Sequence, residues 1–63
     1  MVQQHSETHG DRNADHSYNM EVRRRTDGRW VIIMVHADSR LKAVKIAQEA
    51  GFDAAGGDVQ QVR

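Results

Sequence analysis

Three residues near the middle of the chain, His36, Asp38 and Ser39, are of the types that carry hydrolytic chemistry. A hydrolase needs a nucleophile, a base and a group that orients the base, all close in space. Asp38 and Ser39 directly precede an apolar helical pattern, where both types commonly accept the free backbone N–H groups of a helix start. His36 falls among outward strand residues, which is more typical of a half-buried polar side chain than of a base. We therefore expect no catalytic residues and no enzymatic activity.

A second group with chemical potential lies near the beginning, where His5 and His9 stand four residues apart. The carboxylates nearby are Glu7, Asp11 and Asp15. Imidazole and carboxylate groups at such spacing can share one helix face and ligate a metal ion. Residues 1–17, however, contain too few apolar side chains to offset the entropy of ordering them, which predicts a disordered tail. Because disorder removes the preorganisation that a metal site needs, we predict no metal and no cofactor.

Arginine and tryptophan combine on one predicted strand face in a way that suits a macromolecular partner. Arg25 opposite Trp30, with Arg23 beside them, can stack a cation on a ring, as on sheets that bind single-stranded nucleic acid. The helix lysines Lys42 and Lys45 add positive charge. Arginine stems also shield exposed apolar residues, and single-strand binders usually carry several aromatic residues on one face. We therefore rank a protein partner first and a nucleic-acid-binding module second.

A β-hairpin is the first element that positions these residues. YNMEVRRR alternates, RWVIIMVHA follows, and the Asp27-Gly28 pair between them favours a two-residue type I′ turn, which places Arg25 opposite Trp30. One face is apolar and forms the predicted core: Tyr18, Met20, Val22, Val31, Ile33, Val35 and Ala37. The opposite face mixes charged and large apolar residues: Asn19, Glu21, Arg23, Arg25, Trp30, Ile32, Met34 and His36.

A helix and a short strand follow the hairpin. Ser39 or the aspartate before it caps the helix, apolar residues recur at helical spacing, and Gly51 suits the left-handed end. Phe52 is expected to tuck under the helix end, and DVQQVR predicts a strand beside the first and antiparallel to it. The prediction is an α+β fold of strand-strand-helix-strand order. One helix packs on one face of a three-stranded antiparallel sheet, in a single small domain of residues 18–63.

Composition narrows the class of protein. The chain has 63 residues and no cysteine, so neither disulfides nor thiolate metal ligands supplement its small core. Nine basic residues balance nine acidic ones, which gives no net field towards nucleic acid. No stretch approaches the roughly 18 apolar residues of a membrane span, and residues 1–17 lack the apolar run of a secretory signal. We expect a cytoplasmic protein without membrane contact.

The segment HADSRLKAVKIAQEAG followed by AAGGDVQQVR resembles the small early protein with which short-tailed coliphages inhibit the host RNA polymerase. The resemblance covers residues 18–63. It rests on the element order, the acidic helix start, the spacing of alanine and aliphatic residues, and the Ala-Gly loop before a strand that ends in Val-Arg. It implies a non-enzymatic phage protein that binds the jaw of the polymerase's largest subunit in the host bacterial cytoplasm and blocks transcription initiation.

The resemblance also implies contact residues. In that family two arginines of the last strand carry much of the polymerase contact; the second corresponds to Arg63 here and the first to Gln61. The family's acidic strip on the exposed helix face corresponds to Leu41, Lys42, Lys45 and Gln48. The candidate partner-binding residues are therefore Arg63, Gln61, Arg23, Arg25, Trp30, Lys42 and Lys45. An inhibitor of another host protein and a nucleic-acid-binding module remain alternatives, and the protein is expected to be a monomer or a weak homodimer.

Overall fold

A computed structural model describes residues 7–63 of the chain. His5 of the histidine pair lies outside the described residues. The strands and the helix are β1 (Thr8–Gly10), β2 (His16–Arg24), β3 (Trp30–Ala37), α1 (Arg40–Glu49), β4 (Phe52–Asp53) and β5 (Val59–Gln61). The predicted α+β fold with a helix after the hairpin is confirmed, whereas the sheet contains more strands than predicted.

Strands β2 and β3 form the predicted hairpin with a different register. Observed pairs are Tyr18 with Val35, Met20 with Ile33 and Arg23 with Trp30. The prediction that Arg25 faces Trp30 is therefore wrong by two residues. The connection is longer than a two-residue turn: the Gly28 N–H donates to the carbonyl oxygen of Arg24 at 2.7 Å, and Gly28 has φ 73°. A shift of two residues keeps every side chain on its predicted face, because side chains alternate with a period of two.

The sheet is mixed rather than three-stranded and antiparallel. Strand β1 pairs in parallel with β3 at one edge, and β4 and β5 both pair antiparallel with β2 at the other edge. The predicted place of the last strand, antiparallel to the first strand of the hairpin, is confirmed for β5. The sheet curls enough for His9 of β1 and Phe52 of β4 to stack edge to face, with ring centroids 5.7 Å apart. Strands as short as β1 and β4 have no local pattern, so the sequence did not predict them.

Helix α1 packs on the predicted apolar face of the sheet. The buried core consists of Tyr18, Met20, Val22, Ile33, Val35, Ala37, Ala43, Ala47 and Phe52. From the helix only Ala43 and Ala47 are fully buried, and such small side chains let the helix approach the sheet closely. Ser39 caps the helix, since its Oγ accepts the Lys42 N–H at 3.2 Å. Among residues 7–63 no helix is long and apolar enough to cross a membrane.

Residues 7–17 hold a strand although their composition predicts a disordered tail. The Met34 N–H donates to the carbonyl oxygen of Glu7 at 3.0 Å, and the Asp11 N–H donates to that of His36 at 3.2 Å. Gly10 permits this close pairing: it has φ 91°, and an added Cβ would lie 2.1 Å from the carbonyl oxygen of His36. The structured part of the chain therefore begins before residue 18, because the edge of β3 supplies the partners that the local sequence lacks.

Strands β4 and β5 form one interrupted edge beside β2. Asp53 pairs with Arg23 and Val59 pairs with Met20. The six steps from Asp53 to Val59 on the edge therefore lie beside only three steps on β2. The extra residues bulge outward and return at Asp58, whose carbonyl oxygen accepts the Glu21 N–H at 2.8 Å. This bulge separates the two ends of the sheet edge.

Candidate binding surfaces

The face of the sheet opposite α1, called the outer face below, is the largest uncovered part of the sheet. Its side chains from β2 and β3 are Ser17, Asn19, Glu21, Arg23, Trp30, Ile32, Met34 and His36. Trp30 is 48 % exposed, and Ile32 and Met34 are half-buried. Within residues 7–63 the only helix packs on the other face. The predicted mixture of charged and large apolar residues is thus present, and it is most exposed near Trp30.

Trp30 lies close to an arginine and to the bulge of the sheet edge. The Arg23 guanidinium carbon is 5.6 Å from the centroid of the Trp30 ring, within the range of a cation–π contact. Cζ3 of Trp30 also lies 3.1 Å from the position that a Cβ on Gly57 would take. The ring is therefore close to both Arg23 and the bulge, while almost half of its surface stays exposed.

Asn19 lies in the middle of the outer face, opposite Met34 on β3 and Gln60 on β5. Its Oδ1 atom is inaccessible to solvent and has no hydrogen-bond partner among residues 7–63. A buried acceptor without a donor costs roughly 1 to 3 kcal/mol. The outer face thus carries a local energetic penalty that the helix-covered face avoids.

The hairpin end, which comprises the last residues of β2 and the connection 25–29 to β3, concentrates positive charge. A cavity of about 260 Å³, called the arginine cavity below, is lined by Arg23, Arg24, Arg25, Gly28 and Asp53. Arg24 donates from Nη1 to Oδ2 of Asp27 at 3.1 Å. Asp53 accepts the Ala55 N–H on its Oδ1 at 3.0 Å, so one oxygen of this carboxylate already has a hydrogen bond within its own loop.

Asp27 serves the geometry of the hairpin end. Its Oδ1 accepts the backbone N–H of Arg29 at 3.1 Å. This hydrogen bond, assisted by the positive charges of Arg24 and Arg29, holds the pKa of the Asp27 carboxyl below its ordinary value. Asp27 therefore stays ionised over the neutral range and fixes the loop between the arginines.

The residues considered for hydrolysis have separate structural contacts. Ser39 caps the helix. Asp38 accepts the Asp15 N–H on Oδ1 at 3.1 Å and lies 3.9 Å from Nζ of Lys42. His36 instead meets a residue that the sequence did not single out, because its Nδ1 is 2.7 Å from Oγ of Ser17. Ser17 is only 4 % exposed, so this pair closes one end of the outer face rather than presenting a hydroxyl to solvent.

Gln61 is the last residue of strand β5 and Arg63 follows two residues later, and both are exposed. Gln61 pairs with Tyr18, while the Ser17 N–H donates to the carbonyl oxygen of Arg63 at 3.0 Å. The Arg63 side chain donates from Nη2 to the carbonyl oxygen of Ala14 at 3.1 Å. The two residues are thus held beside the first residues of β2, with their side chains accessible.

The candidate residues do not form one surface. Arg63 is fixed next to Ser17, and Arg23 lies six residues further along β2, which corresponds to roughly 20 Å at about 3.3 Å per residue. Lys42 and Lys45 are exposed on the helix, which packs on the opposite face from Trp30. The structure brings Arg23, Arg25 and Trp30 together at the hairpin end. It separates them from the lysines and from the pair Gln61 and Arg63.

The predicted histidine and carboxylate cluster is only partly within the described residues. Glu7 and His9 make a close contact, with Oε1 and Nε2 2.6 Å apart. Among residues 7–63 no group of three or more histidine, cysteine, aspartate or glutamate side chains is arranged to hold a metal ion.

Comparisons with known proteins found no relative of this chain. No protein-family model, no curated protein and no solved structure matches the chain.

Proposed function

We propose that this protein is a non-enzymatic inhibitor that binds bacterial RNA polymerase through strand β5 and blocks transcription initiation. The observation that carries the proposal is the exposed position of Gln61 at the end of edge strand β5 and of Arg63 two residues beyond that strand. These residues occupy the positions of the two polymerase-contacting arginines in the phage family that the sequence resembles; Arg63 keeps the arginine, whereas Gln61 replaces it. The target surface implied by the resemblance is the jaw of the polymerase's largest subunit, and the site of action is the host cytoplasm.

The edge position of β5 suits a contact with a protein. An exposed edge strand offers backbone N–H and C=O groups to a partner, while its outward side chains supply specificity. Arg63 adds a guanidinium that can pair with a carboxylate in a bidentate manner. Among residues 7–63 the Arg63 side chain donates only to the exposed carbonyl oxygen of Ala14, so exchanging that bond for a partner's carboxylate costs little.

The basic helix surface differs from the acidic strip of the resembled family. Lys42 and Lys45 are exposed and cannot repel or mimic DNA as an acidic strip does. The proposed inhibition therefore depends on occupancy of the jaw by the small domain rather than on negative charge. The alternative, an inhibitor of another host protein, would use the same edge strand. The two alternatives differ in which host protein binds to that strand.

The proposal is tested with purified protein and purified bacterial RNA polymerase. We expect measurable binding to the holoenzyme and a dose-dependent loss of initiation in a single-round transcription assay. Arg63→Glu should weaken binding by roughly tenfold, about 1.4 kcal/mol, because it reverses the charge at the proposed contact. The variant should keep its thermal transition, since Arg63 is exposed.

Arg40→Glu is the matched control, because Arg40 is also exposed but belongs to the first turn of α1. It should bind polymerase as the unmodified protein does, and a glutamate near a helix start is compatible with the helix dipole. Absence of polymerase binding together with unimpaired initiation would exclude polymerase as the target. Equal losses for Arg40→Glu and Arg63→Glu would exclude β5 as the contact.

A further inference from the structure

The arginine cavity lies outside the proposed polymerase contact and has a chemistry of its own. We infer that it binds a phosphodiester of single-stranded nucleic acid, with the phosphate between Arg23, Arg24 and Arg25 and a neighbouring base stacked beside Trp30. This site lies on the outer face at the hairpin end, whereas Gln61 and Arg63 lie at the opposite end of β2. The inference therefore does not depend on the polymerase proposal.

Charge is the first argument for an anion. The cavity wall carries three arginines and one aspartate, Asp53. Including the rest of the hairpin end adds Arg29 and Asp27, so four arginines stand against two aspartates, a formal excess of two positive charges. The chain as a whole has a formal charge of zero, so this excess is local. A concentrated positive field of this kind attracts phosphate groups.

The hydrogen-bonding state of the arginines is the second argument. Arg24 is paired with Asp27 at 3.1 Å, and this pair fixes its guanidinium at the cavity. Arg23 and Arg25 line the same cavity, and neither forms a salt bridge with a carboxylate of residues 7–63. A guanidinium presents five N–H donors in a planar fork that matches two oxygens of a phosphate. Arg23 and Arg25 thus offer guanidinium donors that no carboxylate of residues 7–63 pairs, although Asp53 also lines the cavity.

The exposed ring of Trp30 selects nucleic acid over other anions. Arg23 joins the two parts of the site, since it lines the cavity and also lies over the Trp30 ring at 5.6 Å. Bases stack on aromatic rings and on guanidinium planes, and each stacked base contributes roughly 1 to 3 kcal/mol. A nucleotide with its phosphate in the cavity would therefore find a stacking surface next to it. A duplex keeps its bases inside, so a single strand is the expected ligand.

The sequence alone predicted a broader basic surface that included Lys42 and Lys45. The structure limits the site to the hairpin end, because those lysines are on the helix side of the sheet. The site spans only one or two nucleotides, so affinity should be modest and strongly dependent on salt. This expectation separates it from an extended nucleic-acid-binding groove.

The experiment uses the full chain and a ten-nucleotide oligothymidylate at low ionic strength. Trp30 is the only tryptophan, so its fluorescence reports on the site directly. We expect saturable quenching that weakens as salt is raised. Arg25→Gln should reduce affinity about five- to tenfold and should lower the slope of log K against log salt by about 0.7, the value for one phosphate contact on a single strand.

Arg25 is a suitable probe because its backbone N–H holds the fold while its side chain is exposed. That N–H donates to the carbonyl oxygen of Gly51 at 3.1 Å and is kept in the glutamine variant. Arg40→Gln removes the same charge at a site away from the cavity and should change affinity less than twofold. Inorganic phosphate at the same phosphate concentration should compete only weakly, because it lacks the stacked base.

Three outcomes would overturn the inference. Unchanged Trp30 fluorescence at millimolar oligonucleotide would exclude a nucleotide beside the ring. Equal losses for Arg25→Gln and Arg40→Gln would show diffuse attraction without a site. Capture of a protein partner through Arg25, with no oligonucleotide binding, would assign the cavity to protein recognition instead. The Arg63→Glu variant should leave oligonucleotide binding unchanged, so failure here and failure of the polymerase proposal are distinguishable.

Discussion

The helix-covered face and the outer face of the sheet are made by alternate residues of the same two strands, β2 and β3. On the covered face Met20, Val22, Ile33 and Val35 are each 0 % exposed. On the outer face Trp30 is 48 % exposed, and Ile32 and Met34 are half-buried. A hairpin with apolar residues on both faces needs two covering layers, and the described residues supply one helix. The difference shows which apolar residues are required for folding and which remain for a partner.

The two faces also differ in how they satisfy polar groups. On the covered face Tyr18 is the only buried residue of β2 or β3 that carries a polar group, whereas the outer face contains the unpartnered Oδ1 of Asn19 and the buried hydrogen bond between Ser17 and His36. Natural proteins keep such costs where a function requires them. The arginine cavity and Trp30 lie on this less optimised face.

The largest expected effect comes from placing a charge on each face in turn. Ile33→Asp should unfold the protein, because an unpaired carboxylate in the core costs several kcal/mol and a chain of this length has roughly 3 to 9 kcal/mol of stability. Ile32→Asp, one residue away on the outer face, should stay folded with a loss of roughly 1 to 2 kcal/mol. Far-ultraviolet circular dichroism with thermal melts measures both. Equal losses would contradict the distinction between the faces.

A smaller effect is expected at the bulge that holds Trp30. In Gly57→Ala the new Cβ would lie 1.9 Å from the carbonyl oxygen of Glu21, so the bulge must leave the edge of β2. We expect a loss of about 1 to 3 kcal/mol in urea denaturation and a red shift of Trp30 fluorescence. Gly56→Ala is the control, since its added Cβ meets no atom within 4 Å and only the φ of 84° is strained. That variant should lose about 1 kcal/mol without the shift.

The smallest effect is a gain in stability on the outer face. Asn19→Val removes the buried acceptor and introduces a β-branched residue, which should raise the free energy of unfolding by about 1 kcal/mol. Ser17→Val is the matched change, and it should lower stability by about 1 kcal/mol because it removes the hydrogen bond to His36. Thermal melts at one pH compare the two variants. A loss of stability in Asn19→Val would mean that the amide contributes to the fold.

Much of the hairpin was predictable and part of it was not. The faces followed from alternation alone, so the core residues Met20, Val22, Ile33 and Val35 were predicted correctly. The register was wrong because the Asp27-Gly28 pair favours a tight turn, whereas the side chain of Asp27 stabilises a longer loop by accepting the Arg29 N–H. The local preference for a two-residue turn was outweighed by a side-chain hydrogen bond that forms only in the longer loop.

The residues of the candidate site were likewise partly predictable from the sequence. Arg23, Arg25 and Trp30 were predicted as neighbours, and the structure places all three at the hairpin end. Arg24, which also lines the cavity, was missed because alternation assigns it to the covered face. The partnership of Ser17 with His36 was missed too, since the two residues are separated by 19 positions and carry no shared motif. Contacts across the sheet have no local sequence signal.

The sequence by itself determined the α+β class, the two faces of the hairpin, the capped helix and the antiparallel last strand, because periodicity and capping are local properties of the chain. Only the tertiary structure decided the parallel strand β1, the bulge between β4 and β5 and the separation of the basic residues into distinct surfaces. The reason is that short edge strands form only where a neighbouring strand offers unpaired N–H and C=O groups. Those groups lie far away in sequence and become neighbours only when the chain folds.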